Sequence, residues 1–293
     1  ILLENLVKES ARVVVPMITD PRGVDLDYYK PLGQSEDMAN IDRRIINACE
    51  AMGILMTDTC INYQTIMAPL LNESVAFGDT GVVIYSNSVC GARSNFEGGP
   101  SALAAGLTGR TPRYGFHCQK NRIATRRFKI RNQPKDLTDW GVLGAVIGKK
   151  LGLYWEVPVI EGVEGTPSSD QMKHFGSAMA SYGSTALFHL IGVTPEASKN
   201  SDVCGKKLVI EEVKKGELND MRASFQGSGD ELDVVVFSAP QLSLIEIQNI
   251  SMLCDGTKLR VPMFICTSPQ VYADALRMNI IEKIEAAGAK VLK

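Results

Sequence analysis

Short apolar runs alternate with stretches of helical period along most of the chain, the pattern of a mostly parallel sheet wrapped by helices. Val13 to Val15 reads as a strand. Apolar positions at 38, 41, 45, 46, 48, 49 and 52 predict an amphipathic helix closed by Gly53. Ile54 to Met56 and Val82 to Tyr85 read as strands, and Ser101 to Leu107 as a small-residue helix entered through Gly98-Gly99-Pro100. Further on, 140–151 and 171–180 have helical period, and the Gly/Pro-rich 157–169 reads as a loop. Strands are expected at 186–191, 208–213 and 234–237. Helix 243–253, strand 263–266, helix 270–276, helix 280–287 and strand 290–292 then follow with little between them. The whole predicts an α/β protein of doubly wound, mostly parallel sheets in two packed domains, 1–183 and 184–293.

Composition narrows the function classes. Lys plus Arg number 31 and Asp plus Glu 33, a net charge of −2, which offers no electrostatic footprint for nucleic acid or an anionic membrane. No apolar run approaches the roughly 20 residues of a spanning helix. Glu4, Lys8 and Glu9 interrupt the opening apolar positions, unlike a signal peptide. The chain opens inside a helical pattern without Met and ends on a strand, which leads us to expect further sequence in the parent protein. Seven scattered cysteines argue for a reducing compartment, with cytoplasm as the default.

Three of those cysteines fall at expected strand ends, where ligands bind in open α/β sheets: Cys60 in TDTC, Cys90 in SNSVCGAR and Cys266 in FICTS. Thiolates are soft ligands suited to iron or zinc. A free cysteine is also a small core hydrophobe, and no CxxC pair sharpens the signal. Cys49 and Cys254 lie on apolar helix faces, Cys204 has no evident partner, and Cys118 stays open. The segment 86–117 packs Asn87, Arg93, Ser94, Asn95, Glu97 and Gly98-Gly99 ahead of a helix. Backbone N–H groups there and a nearby guanidinium suit an anion; the plainer alternative pairs Arg93 with Glu97. The segment has neither P-loop nor GxGxxG spacing. His117 is a candidate ligand or acid/base, His174 and Lys173 read as solvated, and His189 in LFHL reads as a core histidine.

GARSNFEGGPSALAAGLTGRTPRYGFH, preceded by SNSV, resembles the long motif of the aconitase X (DUF521) family. TDTC, WGVLGAVIGKKLG, AMASYGSTALFHLIGVTPEA and FICTSPQVY resemble its successive blocks, so the likeness covers nearly the whole chain. It implies an aconitase-like fold and a hydro-lyase core. Within the family the chain resembles the type that dehydrates cis-3-hydroxy-L-proline to Δ1-pyrroline-2-carboxylate; a mevalonate 5-phosphate dehydratase is the alternative. A cluster-free domain that binds carboxylates or a partner chain is the non-catalytic rival.

The resemblance also assigns roles. Cys60, Cys90 and Cys266 would hold a [2Fe–2S] cluster or iron. Asn87, Arg93, Ser94, Asn95, Gly98, Gly99 and Ser101 would bind a small hydroxy-carboxylate, with His117 or Glu97 assisting proton transfer. A phosphorylated substrate would need more cations, for which Arg110, Arg113, Arg122 and Arg126 are available, though solvated charges are the simpler reading. Family members carry a small swivelling domain, fused or as a separate subunit, expected to supply a catalytic serine. Nothing in this sequence matches it, so the chain alone is expected to lack turnover.

Overall fold

The expected alternation resolves into two parallel sheets in the computed structural model, which describes every residue except Asn200, Ser201, Asp202, Lys206, Ser228 and Asp230. One sheet has the order β3-β2-β1-β4, from β1 (Arg126–Ile130), β2 (Pro158–Glu161), β3 (His189–Leu190) and β4 (Ile210–Val213). The other runs β5-β6-β7, from β5 (Val235–Leu242), β6 (Met263–Thr267) and β7 (Ala289–Leu292). The chain divides into two units: unit 1 is 1–61, 100–111 and 231–293, and unit 2 is 62–99 and 112–230. The domain change expected near 183 falls inside unit 2, where the Ser169–Gly183 helix ends.

Unit 1 matches its sequence pattern closely at the C-terminal end. Helices Leu244–Cys254, Pro269–Arg277 and Ile280–Ala286 connect β5, β6 and β7, which pair in register Val235↔Met263 and Met263↔Ala289. Ser243 caps the first of them in a capping box with Glu246, and Ser268 caps the next ahead of Pro269. The amphipathic Glu36–Ala51 helix is capped by Ser35, and its Cys49 packs with Met52, Ile54 and Leu103. Two expected strands dissolve here. Val13 and Val14 donate to Met52 and Gly106 carbonyls, each at 2.9 Å, so they tie helix segments together instead of joining a sheet. Ile54 to Met56 keeps a single parallel bridge, Leu55 to Ile18.

Unit 2 departs further from its pattern. The run VVIY, expected as a strand, lies in the Thr80–Ser88 helix, capped by Asp79 accepting from Val82 N at 2.8 Å. Val82 through Ser88 are all buried, and a helix buried on every side shows no period that would set it apart from a strand. The 157–169 segment contains β2, and the strand expected at 186–191 shrinks to His189–Leu190. The central strand β1 is hidden in the charged run RRFKI, where Phe128 and Ile130 are buried while Arg126 meets Glu156 and Glu211 and Arg127 meets Glu161. Helices Leu137–Lys150 and Ser169–Gly183 cross in close contact because a Cβ at Gly144 or Gly148 would lie 2.2 or 2.5 Å from the carbonyl oxygens of Phe175 and Met179. No described helix is long and apolar enough to cross a membrane.

Candidate active site

Unit 2 gathers most of the predicted site. The loop after the Thr80–Ser88 helix is drawn back onto that helix by Asn87. Its Nδ2 donates to Ser94 O at 2.9 Å and Ala186 O at 2.8 Å, while its Oδ1 accepts from Ser94 N at 2.9 Å. Asn95 ties the same loop to the segment carrying His117: its Oδ1 accepts from Phe116 N at 2.9 Å and its Nδ2 donates to Tyr114 O at 3.3 Å. Ser94 Oγ donates to Asn95 O and accepts from Phe77 N. The side chains of Asn87, Ser94 and Asn95 are thus buried and committed to the loop itself. They shape the site through the backbone they hold.

Arg93 is half-buried, and its partners are neutral: Asn72 Oδ1 (2.8 and 3.2 Å), Gln119 Oε1 (2.5 Å) and His117 O (3.3 Å). The alternative pairing with Glu97 is not what the guanidinium makes. Arg122, Arg126, Arg127, Arg131 and Arg222 of this unit each meet a carboxylate, whereas Arg93 and Arg113 meet none among the described residues. Exposed Asn72 and Gln119 are acceptors that an anionic oxygen can displace, since charge-assisted bonds are the stronger. His117 Nε2 is buried with no hydrogen-bond partner among the described residues. Burial holds the imidazole pKa below its usual value; Glu97 pulls it upward, and Arg122 and Arg93 push it further down. Glu97 is itself buried, whereas Gly98, Gly99 and Ser101 are exposed about the start of the Gly99–Thr108 helix.

Two charged residues depart from their expected setting. Arg122 is neither solvated nor open to a ligand: it is 1% exposed and clamped onto Glu196. Lys173, expected in solvent, is likewise 1% exposed and lies 3.6 Å from Asp170. His189 is a satisfied core histidine as expected, donating Nε2–H to Arg122 O at 2.7 Å. The unit 2 site sits on segments entering β1 and β3, and Cys90 follows a helix end instead of a strand end. Burial pushes the Cys90 thiol up to about 11.

Unit 1 carries the other two candidate thiols: Cys266 lies near the carboxyl end of β6, whereas Cys60, expected at a strand end, sits in irregular backbone five residues past the Leu55 bridge. TDTC is pinned by Thr19, whose hydroxyl donates to Asp58 Oδ1 at 3.1 Å and accepts from Thr57 N and Asp58 N. Arg22 reaches Asp58 Oδ2 at 3.1 Å. Buried Asp58 has φ +49°, a left-handed backbone that Asp tolerates better than most residues. Gln241, which the sequence did not flag, links the two cysteine segments. Its Oε1 accepts from Cys60 N (3.0 Å), its Nε2 donates to Asp58 O (3.3 Å) and Thr267 O (2.9 Å), and its backbone N–H points at Cys60 Sγ (3.3 Å). Its sequence signal is slight: one amide at a strand end, two residues before the Ser243 cap. Cys266, beside Thr267, is pushed up by burial and by the charge of Asp25.

The donors suit iron in kind: unit 1 brings two thiol-bearing segments onto one carboxamide, and an N–H donor aimed at sulfur stabilises a thiolate. Cys90 in unit 2 is the third candidate. Among the described residues no group of three or more His, Cys, Asp or Glu side chains is gathered as a metal site.

Three family models match the chain in succession: aconitase X first domain over 1–120, second domain over 124–224 and third domain over 232–293. The phosphomevalonate dehydratase large subunit of Methanothermobacter thermautotrophicus is 38% identical over 296 residues, covering 99% of this chain and 71% of that one. The cis-3-hydroxy-L-proline dehydratase of Hypocrea jecorina is 29% identical over 299 residues, covering 99% of this chain and 50% of that one. A crystal structure of Thermococcus kodakaraensis aconitase X in its holo-form superposes with a TM-score of 0.90 at 32% identity, covering 99% of this chain and 72% of that one.

Proposed function

This chain belongs to the aconitase X family of hydro-lyases, and from that premise we propose that it is the large subunit of a dehydratase acting on mevalonate 5-phosphate. The observation that carries this reading is the pair of arginines, half-buried Arg93 and exposed Arg113, that meet no carboxylate among the described residues, one bonded to His117 O and the other four residues before His117. A substrate with a carboxylate at one end and a phosphate at the other needs two such cations. The greater identity and coverage of the phosphomevalonate dehydratase relative point the same way, so the phosphorylated substrate replaces cis-3-hydroxy-L-proline as the favoured reading.

Dehydration removes a proton from C2 and the hydroxyl from C3, leaving a double bond conjugated with the carboxylate. Arg93 takes the carboxylate in place of Asn72 and Gln119, and Arg113 takes the phosphate. With Arg93 neutralised by the bound anion, one of the charges depressing His117 is cancelled while Glu97 continues to favour the imidazolium. His117 is the group we assign to deliver a proton to the departing hydroxyl. Cys60 and Cys266, the two thiols of unit 1, would hold an iron centre, which would supply Lewis-acid polarisation of a hydroxyl. The relative's designation as a large subunit supports a small partner subunit, which closes the site against water and brings the base for C2.

Binding of mevalonate 5-phosphate and of mevalonate to the chain tests the assignment. Arg113→Gln should weaken the phosphorylated ligand roughly tenfold or more and leave mevalonate unchanged, since a charge-assisted bond contributes about 1.5–3 kcal/mol. Equal affinity of wild type for both ligands would overturn the phosphate reading.

A further inference from the structure

Arg122 makes more of its guanidinium than an ion pair requires. Nε donates to Glu196 Oε1 (3.0 Å) and Oε2 (2.9 Å), and Nη2 donates again to Glu196 Oε2. The other bonds go to the site: Nη2 to Asn87 O (2.9 Å), Nη1 to Asn87 Oδ1 (3.3 Å) and Nη1 to Phe116 O (3.2 Å). Its own carbonyl accepts from His189. All of the N–H donors of a guanidinium are thereby used inside the protein, which leaves none for a substrate phosphate.

Each of those bonds lands on a part of the loop machinery. Asn87 Oδ1 is shared between Arg122 and Ser94 N, so the guanidinium anchors the oxygen side of a carboxamide whose nitrogen is held by Ser94 O and Ala186 O. Phe116 is held from both sides, its carbonyl by Arg122 and its N–H by Asn95. One buried side chain therefore sets both the return of residues 93–97 and the placement of His117, which follows Phe116. We propose that Arg122 is the positioning residue of this site, oriented by Glu196, and acting through Asn87 and Phe116 without touching substrate. The proposal rests on the functional reading above for its kinetic consequence, but not for its structural one.

A plain structural role and a positioning role predict different behaviour when the charges are removed together. Stripping one partner leaves the other buried and unpaired, which destabilises any protein, whereas replacing both with apolar side chains of similar volume often restores stability. The test is Arg122→Met with Glu196→Leu, measured by thermal unfolding, by site-resolved amide exchange and by mevalonate 5-phosphate affinity. The expected result is a folded chain with core amides of the Leu137–Lys150 helix protected as in wild type. The Ser94 amide should exchange roughly tenfold faster or more, with substrate affinity reduced by a similar factor, since the carboxamide oxygen and the backbone carbonyl of Asn87 both lose their anchor. Wild-type protection at Ser94 in a folded double variant would overturn the proposal. Should that variant not fold, Arg122→Lys decides the question, because an ammonium keeps the charge beside Glu196 but cannot span Asn87 O, Asn87 Oδ1 and Phe116 O. The same local loss is expected there, and unchanged Ser94 exchange counts against the role. If wild type binds no mevalonate 5-phosphate, the functional reading fails, and amide exchange still judges Arg122 alone.

Discussion

Replacing Gly115 with alanine should open the site loop from its far side. Gly115 has φ +56°, and a Cβ there would lie 2.1 Å from Asn95 Oδ1, well inside contact distance. Two costs add. Alanine in the left-handed region loses about 1 kcal/mol. The Asn95 carboxamide must also move, giving up its 2.9 Å bond from Phe116 N and leaving that buried N–H unpaired, at about 1–3 kcal/mol. The sum is about 2–4 kcal/mol, carried by the loop that holds Arg93 and His117. Gly165 supplies the control: its φ is +73°, yet nothing lies within 4 Å of its would-be Cβ, so Gly165→Ala incurs the backbone cost alone. Urea unfolding and calorimetric binding of mevalonate 5-phosphate read the two effects separately. Gly165→Ala should lose about 1 kcal/mol of stability and keep its affinity. Gly115→Ala should lose more stability and weaken binding by roughly tenfold or more, at 1.4 kcal/mol per tenfold. If both variants bind like wild type, the Asn95–Phe116 junction does not shape the site and this reasoning is wrong.

Gln241→Ala should free the Cys60 segment from Thr267: iron retained after anaerobic reconstitution should fall, and Cys60 in metal-free chain should alkylate faster, while Gln241→Glu should recover neither; unchanged labelling would contradict the link. Burial holds both His117 and His189 neutral in the fold, so the unfolded chain takes up protons first as pH falls through about 6.5. Stability should therefore be full above that pH and decline below it toward the depressed folded values, and His189→Gln should flatten the decline between pH 7.5 and 5.5 in urea titrations. A slope identical to wild type would remove His189 from the account.

The parts of this protein that were legible in the sequence are those where local and global preferences agree. The C-terminal alternation is marked by caps at Ser243 and Ser268, and Ser35 opens a helix whose apolar spacing is unmistakable. The long motif beginning at Ser86 pointed to the loop that does gather Asn87, Arg93, Ser94, Asn95 and His117. Illegible parts depend on partners distant in sequence. The central strand β1 looks polar until Glu156, Glu161 and Glu211 neutralise its arginines from elsewhere in the chain. The VVIY run is a helix because it is buried all round, which no local period records. Arg122 and Gln241 carry no motif; their roles exist only through Glu196, Asn87, Cys60 and Thr267, between 26 and 181 residues away.

Turnover decides the central claim. The chain, reconstituted anaerobically with iron and combined with a small subunit from a phosphomevalonate dehydratase, is offered mevalonate 5-phosphate and cis-3-hydroxy-L-proline in parallel. Phosphorus NMR and the absorbance of a conjugated enoate report the first product, and trapping with aminobenzaldehyde reports Δ1-pyrroline-2-carboxylate. The expected outcome is dehydration of mevalonate 5-phosphate, abolished by omitting the small subunit, with no pyrroline product. Pyrroline formation with mevalonate 5-phosphate left intact would contradict the account.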